Sequence, residues 1–255
     1  MKLYRARQNG SVFYATQRDG VLRRSAAKSL SEALAGDSKP LEVIELSEVE
    51  ILAPVQPGKI VAVGRNYADH AKELGNEIPA EPILFLKPPS AVVGPEDVIE
   101  LPRSSQRVDF EGELAIVVGR TARHVSRSRW KDYVAGFTCA NDVTARDLQK
   151  RDVQFTRGKS FDTFCPLGPL LQTELDPADL AISTRLNGEV RQSGRTSSLI
   201  FPPSVLLEFI SAIMTLDPGD VILTGTPAGV GPMQDGDIVE VTIEGIGTLR
   251  NRVGK

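Results

Sequence analysis

The chain has 255 residues, of which 41% are hydrophobic and 25% are charged, and this composition is typical of a globular protein with a sizeable core. Its 30 basic and 33 acidic residues give a net charge of −3 without a basic block, so neither nucleic acid nor an anionic membrane surface is expected as a partner. No apolar run approaches the roughly 20 residues that cross a bilayer, and the N-terminus lacks the apolar segment of a secretory signal. We therefore expect a cytoplasmic protein in which Cys139 and Cys165 are reduced.

Turn-forming residues divide the chain at 54–58, a segment with two prolines and a glycine. We place a domain boundary there, between a small β-rich module (residues 1–55) and a larger domain (residues 56–255). Because strand-like segments outnumber long helices, the pattern favours an α+β or mainly-β architecture over a doubly wound sheet. The hydrophobic pattern predicts strands over 12–16, 41–51, 59–63, 83–86, 136–140 and 221–224, helices over 67–74, 130–134 and 202–214, and hairpins at Asn187-Gly188 and over 238–253.

Acidic residues alternate at the start of an apolar run in residues 108–118. In a strand, Glu111 and Glu113 project from the same face, with Asp109 behind them. The apolar run that follows predicts a strand buried on both faces, so these carboxylates need a pairing partner, hydrogen bonds or a bound cation. Gly112, between them, leaves room for a closely approaching ligand. The alternative is a solvated strand end with three ordinary acids.

A second strand-like run, over 136–141, also ends in an acid, Asp142. Together with Glu111 and Glu113 it would form an oxygen-only triad, which suits Mg²⁺ or Mn²⁺. Zinc is not expected, because the chain has only two histidines, His70 and His124, and no cysteine pair at ligand spacing.

His70 precedes Glu73 by three residues in the predicted helix 67–74. Residues three apart on a helix are neighbours, so the glutamate would orient the imidazole and raise its basicity, as in a general base with its orienting carboxylate. The alternative is a chance pair on the protein surface. Residues that break helices, Gly75-Asn76 and then Pro79, follow the His70/Glu73 pair (the dyad). We therefore expect residues 69–79 to form a mobile lid.

The segment 223–231 is a glycine-rich turn after a predicted buried strand. It lacks the sequence of a phosphate-binding loop or a dinucleotide fingerprint. Its backbone N–H groups and the Thr226 hydroxyl are suited to hold a substrate carboxylate, although a tight turn without a ligand is an equal alternative. From the sequence alone, there is little reason to assign a function to Lys159, Lys87 or Arg65.

Six ordered motifs give the chain a resemblance to the fumarylacetoacetate hydrolase superfamily, in particular to its bacterial two-part members related to acylpyruvate hydrolases and oxaloacetate decarboxylases. The resemblance covers residues 58–253, whereas the N-terminal residues match only weakly. The motifs are 64–70 (Gly-Arg-Asn-Tyr-Ala-Asp-His), 84–88 (Leu-Phe-Leu-Lys-Pro), 110–115 (Phe-Glu-Gly-Glu-Leu-Ala), 141–147 (Asn-Asp-Val-Thr-Ala-Arg-Asp), 158–162 (Gly-Lys-Ser-Phe-Asp) and 223–227 (Leu-Thr-Gly-Thr-Pro).

The resemblance implies a mixed β-roll catalytic domain that is commonly a homodimer. It also implies particular site residues. The metal ligands for Mg²⁺ or Mn²⁺ would be Glu111, Glu113 and Asp142; the catalytic residues His70, Glu73 and Lys159; and the substrate-binding residues Arg65, Lys87, Gly225 and Thr226.

Members of the superfamily carry out several reactions, and the motifs do not separate them. We favour metal-dependent carbon–carbon cleavage of a short 2-oxo acid to give pyruvate, either by hydrolysis of an acylpyruvate such as fumarylpyruvate or by decarboxylation of oxaloacetate. The alternative is an isomerase or tautomerase of related keto acids, such as 2-hydroxyhepta-2,4-diene-1,7-dioate or oxaloacetate. A binding module without catalytic activity is a third hypothesis, and the intact acids and the His70/Glu73 pair argue against it.

Overall fold

A computed structural model describes residues 1–36, 40–73 and 77–255 of the chain. The described residues form twenty β-strands, five α-helices and four short 3₁₀-helices. The strands are β1 (Lys2–Gln8), β2 (Ser11–Arg18), β3 (Val21–Ser25), β4 (Pro40–Val43), β5 (Glu50–Leu52), β6 (Ile60–Gly64), β7 (Ile83–Lys87), β8 (Val92–Val93), β9 (Val98–Glu100), β10 (Val108–Phe110), β11 (Gly112–Val118), β12 (Val134–Asn141), β13 (Thr144–Ala145), β14 (Cys165–Gln172), β15 (Ala181–Leu186), β16 (Glu189–Arg195), β17 (Val221–Leu223), β18 (Gly231–Met233), β19 (Ile238–Ile243) and β20 (Gly247–Gly254). The α-helices are α1 (Leu30–Ala35), α2 (Ala68–Glu73), α3 (Arg146–Arg151), α4 (Thr156–Lys159) and α5 (Pro203–Ile213), and the 3₁₀-helices cover Leu46–Glu48, Pro89–Ala91, Arg127–Tyr133 and Thr196–Ser198.

Twelve strands form one large sheet that includes the strands of the N-terminal segment. Its main path runs β4-β3-β2-β1-β14-β12-β11-β17-β6-β7, with β5 paired to β1 and β8 paired to β14. Strand β1 is antiparallel to β14, with Lys2 opposite Gln172 and Leu3 opposite Leu171. Strands from both sides of the expected boundary at 54–58 thus share a sheet, and the division into residues 1–55 and 56–255 stays a prediction.

Two smaller sheets accompany the large one among the described residues. A three-stranded sheet has the order β13-β10-β18, and a five-stranded sheet has the order β16-β15-β19-β20-β9. The expected combination of many strands with few long helices is therefore confirmed, and the strands form several sheets. The finer description as a β-roll stays a prediction.

Strand β11 lies in the middle of the large sheet and is buried over its whole length. Leu114, Ile116 and Val118 pack into one apolar cluster, and the alternating Ala115 and Val117 pack into another. Burial on both faces is what the apolar run predicts. The acids at the N-terminal end of β11 are therefore carried on a rigid, central element.

Most other predicted elements have counterparts at their positions. The strands expected over 12–16, 83–86 and 136–140 lie within β2, β7 and β12, those over 59–63 and 221–224 differ by a residue or two from β6 and β17, and the C-terminal hairpin is β19 and β20. Residues 41–51 contain β4 and β5 with a 3₁₀-helix between them, and 130–134 falls largely in a 3₁₀-helix. Asn187 and Gly188 join β15 to β16 with positive φ values of 52° and 80°, as the Asn-Gly pair predicts.

Helix α5 is the longest helix of the described residues, and it matches the expected segment 202–214. Leu206 and Ile210 on this helix are buried, whereas Ile213 is 59% exposed. In the part of the chain that the structure describes, no helix is long and apolar enough to cross a membrane.

The expected continuous strand over 108–118 is wrong at one residue, Glu111. The chain changes sheets there: β10 pairs with β13 and β18, whereas β11 pairs with β12 and β17. The Glu111 N–H donates to the Asn141 side-chain oxygen at 2.9 Å, and its carbonyl accepts the N–H of Asp142 at 2.8 Å. This break places Glu111 beside the end of β12.

Candidate active site

Three carboxylates meet where β11 begins and β12 ends. The two strands are antiparallel, with Gly112 opposite Asn141. Glu111 and Glu113 lie on either side of Gly112, and Asp142 directly follows Asn141, so the three acids are close together. All three side chains are buried, and each offers an oxygen within 4.8 Å of the others. The predicted metal ligands are thus brought together by the register of one strand pair.

Cationic side chains contact two of these acids. The Lys159 Nζ lies 2.9 Å from Glu111 Oε2 and 2.6 Å from Asp142 Oδ2, and the Lys87 Nζ lies 2.6 Å from Asp142 Oδ1. Arg146 also pairs with Glu111. Lys87 and Lys159 are both buried, so these ion pairs are shielded from water.

Glu113 is held differently. Its Oε2 accepts the backbone N–H of Gly225 at 2.6 Å, and among the described residues no cationic side chain forms an ion pair with it. Burial raises the pKa of the Glu113 carboxyl well above its usual range, and the neighbouring Asp142 and Glu111 add to this rise. Burial also acts to raise the pKa of Glu111, but Lys159 and Arg146 outweigh it and hold that pKa below its usual range.

The donor set fits a hard divalent cation. It consists of oxygen atoms alone. Among the described residues Glu113 has no cationic partner, although it lies beside the two other acids. Mg²⁺ and Mn²⁺ prefer such ligands, and a bound cation would offset both the burial and the neighbouring acids that raise the pKa of Glu113.

Asp109 lies behind the triad and is paired, as expected, whereas Gly112 has a role that differs from the expected one. Asp109 is fully buried behind the triad, where it accepts from Arg107 Nε at 2.8 Å and Arg146 Nε at 2.9 Å. The space beside Gly112 is filled by protein and not by a ligand, because a Cβ atom there would lie 2.1 Å from Thr184 Oγ1. Close packing of the five-stranded sheet is the reason for this glycine.

The His70 and Glu73 side chains form the predicted pair. The His70 Nδ1 lies 3.2 Å from Glu73 Oε2 on helix α2. The Gly229 N–H donates to both carboxylate oxygens of Glu73, at 3.1 and 3.2 Å, and so fixes the glutamate from its other side. Of the expected lid, Leu74, Gly75 and Asn76 lie outside the described residues.

A cavity of about 400 Å³ joins the dyad to the acids. Phe85 and Phe155 form part of its wall and meet edge to face, with ring centroids 5.6 Å apart. Lys87 and Gly225 are not among its described lining residues, since they contact Asp142 and Glu113 from behind. The lining residues that carry functional groups are Arg65, His70, Glu73, Glu111, Glu113, Asp142, Arg146, Gln149, Lys150, Lys159 and Thr226.

Four cations line this cavity, and they fall into two classes. Arg146 and Lys159 form ion pairs with buried acids. Arg65 and Lys150, by contrast, have no acidic partner within 4.0 Å among the described residues. Arg65 follows β6 with a positive φ of 57°, which is uncommon for a residue other than glycine and is often found at functional sites. These two charges are available to an anionic ligand.

Sequence reasoning missed three buried residues that build the site. Arg146 lies within a motif quoted above, but its place four residues after Asp142 gives no sign that it reaches Glu111. Asn66, in the loop after β6, donates at 2.7 Å to the carbonyl of Thr224, the residue that follows β17. Gln192 lies on a distant strand, β16, and no local signal marks it.

Comparisons with known proteins agree with this geometry. The family profile described as "Fumarylacetoacetate (FAA) hydrolase C-terminal" matches residues 59–254. A human mitochondrial oxaloacetate tautomerase is 47% identical over 238 residues, which cover 88% of this chain and 76% of that protein. The crystal structure of a 5-carboxymethyl-2-hydroxymuconate delta-isomerase from Mycobacterium smegmatis has a TM-score of 0.91 at 45% identity and covers 100% of this chain and 99% of its own. A fumarylacetoacetate hydrolase from the psychrophilic Exiguobacterium antarcticum has a TM-score of 0.88 at 42% identity, with the same coverage.

Proposed function

The chain belongs to the fumarylacetoacetate hydrolase family, and we propose that it is a divalent-cation-dependent enzyme that interconverts the keto and enol forms of a short dicarboxylic 2-oxo acid, with oxaloacetate as the first candidate. The observation that carries this proposal is the His70/Glu73 pair in the same small cavity as the three buried acids. The sequence alone favours carbon–carbon cleavage. The likeness to a tautomerase and to an isomerase moves proton transfer to first place.

Glu111, Glu113 and Asp142 would hold the Mg²⁺ or Mn²⁺ ion. When bound, the ion would supply Lewis acidity that draws electron density from the oxygens of a 2-oxo acid. The protein residues around the acids would orient them: Lys87 from behind Asp142, and the Gly225 N–H on Glu113.

His70 would move the proton. With Nδ1 protonated and donating to the Glu73 carboxylate, Nε2 would carry the lone pair and act as the base. In the keto-to-enol direction, the C3–H bond breaks, its electron pair forms the C2–C3 double bond, and the proton moves to Nε2. The π pair of the C2=O bond moves onto the oxygen, which takes a proton from water, and the hydroxide that remains takes the proton from Nε2. In the reverse direction the enol hydroxyl proton leaves to water, and His70 delivers a proton to C3.

The charges and the size of the cavity support a dicarboxylic substrate. A volume of about 400 Å³ suits a small acid. One carboxylate and the keto oxygen would face the triad, and the unpaired cations Arg65 and Lys150 would attract the second carboxylate. Lys159 and Arg146 are less available, since both already pair with acids.

Hydrolytic cleavage of an acylpyruvate is the second candidate. It is favoured by the structural likeness to a fumarylacetoacetate hydrolase and by the same dyad, which could activate water for attack on a C4 carbonyl. Lys159, on the cavity wall, would stabilise the oxyanion that forms. Of the two candidate reactions, only this one releases pyruvate.

Two parallel assays test the proposal. The decay of the enol absorbance of oxaloacetate and the release of pyruvate are measured with Mg²⁺ or Mn²⁺, with EDTA, and without enzyme, and acetylpyruvate and fumarylpyruvate are then tested for pyruvate release. We expect metal-dependent acceleration of enol decay that far exceeds pyruvate release. Pyruvate formation from an acylpyruvate without any effect on enol decay would favour the second candidate instead.

A further inference from the structure

Gln192 is a fully buried amide whose side chain joins three backbone or side-chain groups at the site. Its Oε1 accepts the N–H of Gly112 at 2.9 Å, and its Nε2 donates to Thr226 Oγ1 and to the Pro227 carbonyl, each at 2.7 Å. Gly112 lies between the two glutamates of the triad, and Thr226 lies on the cavity wall. One side chain from β16 therefore contacts both the acidic strand and the loop opposite it.

Gln192 pairs with a buried backbone group that has no partner from a neighbouring strand. Strand β17 pairs with β11 from Val221 to Leu223, and the Thr224 N–H still donates to the Leu114 carbonyl at 3.1 Å. Beyond Thr224 the chain turns away, which leaves the buried N–H and C=O of Gly112 without a strand partner on that side. Buried backbone groups must be paired, and here side chains replace the strand: Gln192 takes the N–H, and the Thr226 hydroxyl donates to the carbonyl at 2.9 Å.

This substitution of side chains for a strand frees the glycine loop (residues 224–230) for other contacts. The Gly225 N–H turns toward Glu113, and the Gly229 N–H reaches Glu73. The same loop thus touches one acid of the triad and the carboxylate of the dyad. Its only hydrogen bonds from β16 among the described residues are those of Gln192 to Thr226 and Pro227.

We propose that Gln192 is a positioning residue that holds the glycine loop against β11, so that Glu113 keeps the place it needs to bind the cation and Glu73 keeps its place beside His70. The inference rests on the cation site of the proposed function. It goes beyond that function because Gln192 does not line the cavity and makes no hydrogen bond to the carboxylates of the triad.

The test measures cation binding without turnover. Mn²⁺ affinity is determined by isothermal titration for the wild type, Gln192→Met and Asn251→Leu, and thermal unfolding reports whether each variant is folded. Methionine keeps the length of glutamine and removes its hydrogen bonds. Asn251 is the matched control: it is a buried amide of the same five-stranded sheet and donates to the Gly94 and Asp97 carbonyls, at 2.8 and 3.0 Å, away from the acids.

We expect both substitutions to lower the unfolding temperature, but only Gln192→Met to weaken Mn²⁺ binding, by about tenfold, as for other residues that orient metal ligands. If Gln192→Met does not fold, Mn²⁺ affinity and thermal unfolding are measured for Gln192→Glu, and weaker Mn²⁺ binding is again expected. That variant keeps the side-chain volume and the acceptor for Gly112 but cannot donate to both Thr226 and Pro227, and its added charge would by itself favour a cation. A folded Gln192 variant with wild-type Mn²⁺ affinity overturns the inference, whereas a wild type that binds no Mn²⁺ overturns the cation site itself.

Discussion

The backbone N–H of Gly229 is hydrogen-bonded to the carboxylate of Glu73, at 3.1 and 3.2 Å from its two oxygens. Gly229 has a φ of 100°, and a Cβ atom there would lie 2.0 Å from the Arg191 carbonyl oxygen, so only glycine fits. This contact fastens the helix that carries the dyad to the loop that also touches Glu113. One segment therefore contacts both the His70/Glu73 pair and one acid of the triad.

A ligand that fills the cavity should stabilise this contact. We expect amide hydrogen exchange to slow in peptides that cover residues 65–73 and 225–231 when Mn²⁺ and oxalate, a small chelating dicarboxylate, are added together. The peptide over 127–133, a distant 3₁₀-helix, serves as the control and should not change. Unchanged exchange in all three peptides, with oxalate shown to bind, would count against a lid.

Removal of one carboxylate charge should weaken cation binding. Asp142→Asn keeps the shape of the side chain but removes its negative charge, and we expect Mn²⁺ affinity to fall by at least roughly tenfold. Asp220→Asn is the control, because Asp220 is also a buried acid but lies at the other end of β17, where it pairs with Lys59. Equal Mn²⁺ affinity of the two variants would place the cation elsewhere.

The second carboxylate of the substrate should be recognised by charge. For Lys150→Met we expect KM for oxaloacetate to rise about three- to fivefold, since an exposed ion pair contributes up to about 1 kcal/mol. Inhibition by the monocarboxylate 2-oxobutyrate should not change, and Lys28→Met, a lysine remote from the cavity, should have no effect on either. If inhibition by 2-oxobutyrate weakens as much as oxaloacetate binding, Lys150 does not distinguish the second carboxylate.

Gly112 should be intolerant of a side chain because of Thr184. We expect Gly112→Ala to lower the free energy of unfolding by roughly 1–3 kcal/mol, through overpacking against the Thr184 hydroxyl. Thr184→Ala alone should cost little, since that buried hydroxyl has no hydrogen-bond partner in the described structure, and the double variant should recover part of the loss. Denaturant unfolding of the four proteins measures this, and strictly additive effects would show that the two residues are not coupled.

The sequence predicts the parts of the site that depend on local patterns. Glu113 lies in a buried strand with Glu111 one residue before that strand begins, and the His70/Glu73 pair is three residues apart on a helix. The helical spacing makes His70 and Glu73 neighbours, and Glu111 stays beside Glu113 although the chain changes sheets between β10 and β11. The sequence also assigns Asp142 to the triad, because this residue follows a second strand-like run.

The remaining contacts depend on long-range packing and could not be predicted. Gln192 reaches Gly112 across 80 positions of the chain, and Glu73 reaches Gly229 across 156. The change of sheet at Glu111 depends on which strands pair on each side of it, which the periodicity of one segment does not reveal. Lys87 and Gly225 were expected at the substrate, but their contacts with the acids are visible only in three dimensions.

If His70, oriented by Glu73, moves a proton at the carbon next to the keto group of an acid bound at the triad, the enzyme should catalyse exchange of deuterium from solvent into C3 of oxaloacetate. NMR follows this exchange against an enzyme-free blank. We expect exchange that requires Mg²⁺ or Mn²⁺, that falls by roughly 10²–10⁴-fold in His70→Ala, and that is unchanged in His124→Ala. Exchange that persists undiminished in His70→Ala with the cation bound, or that is absent from the metal-loaded wild type, would contradict the account.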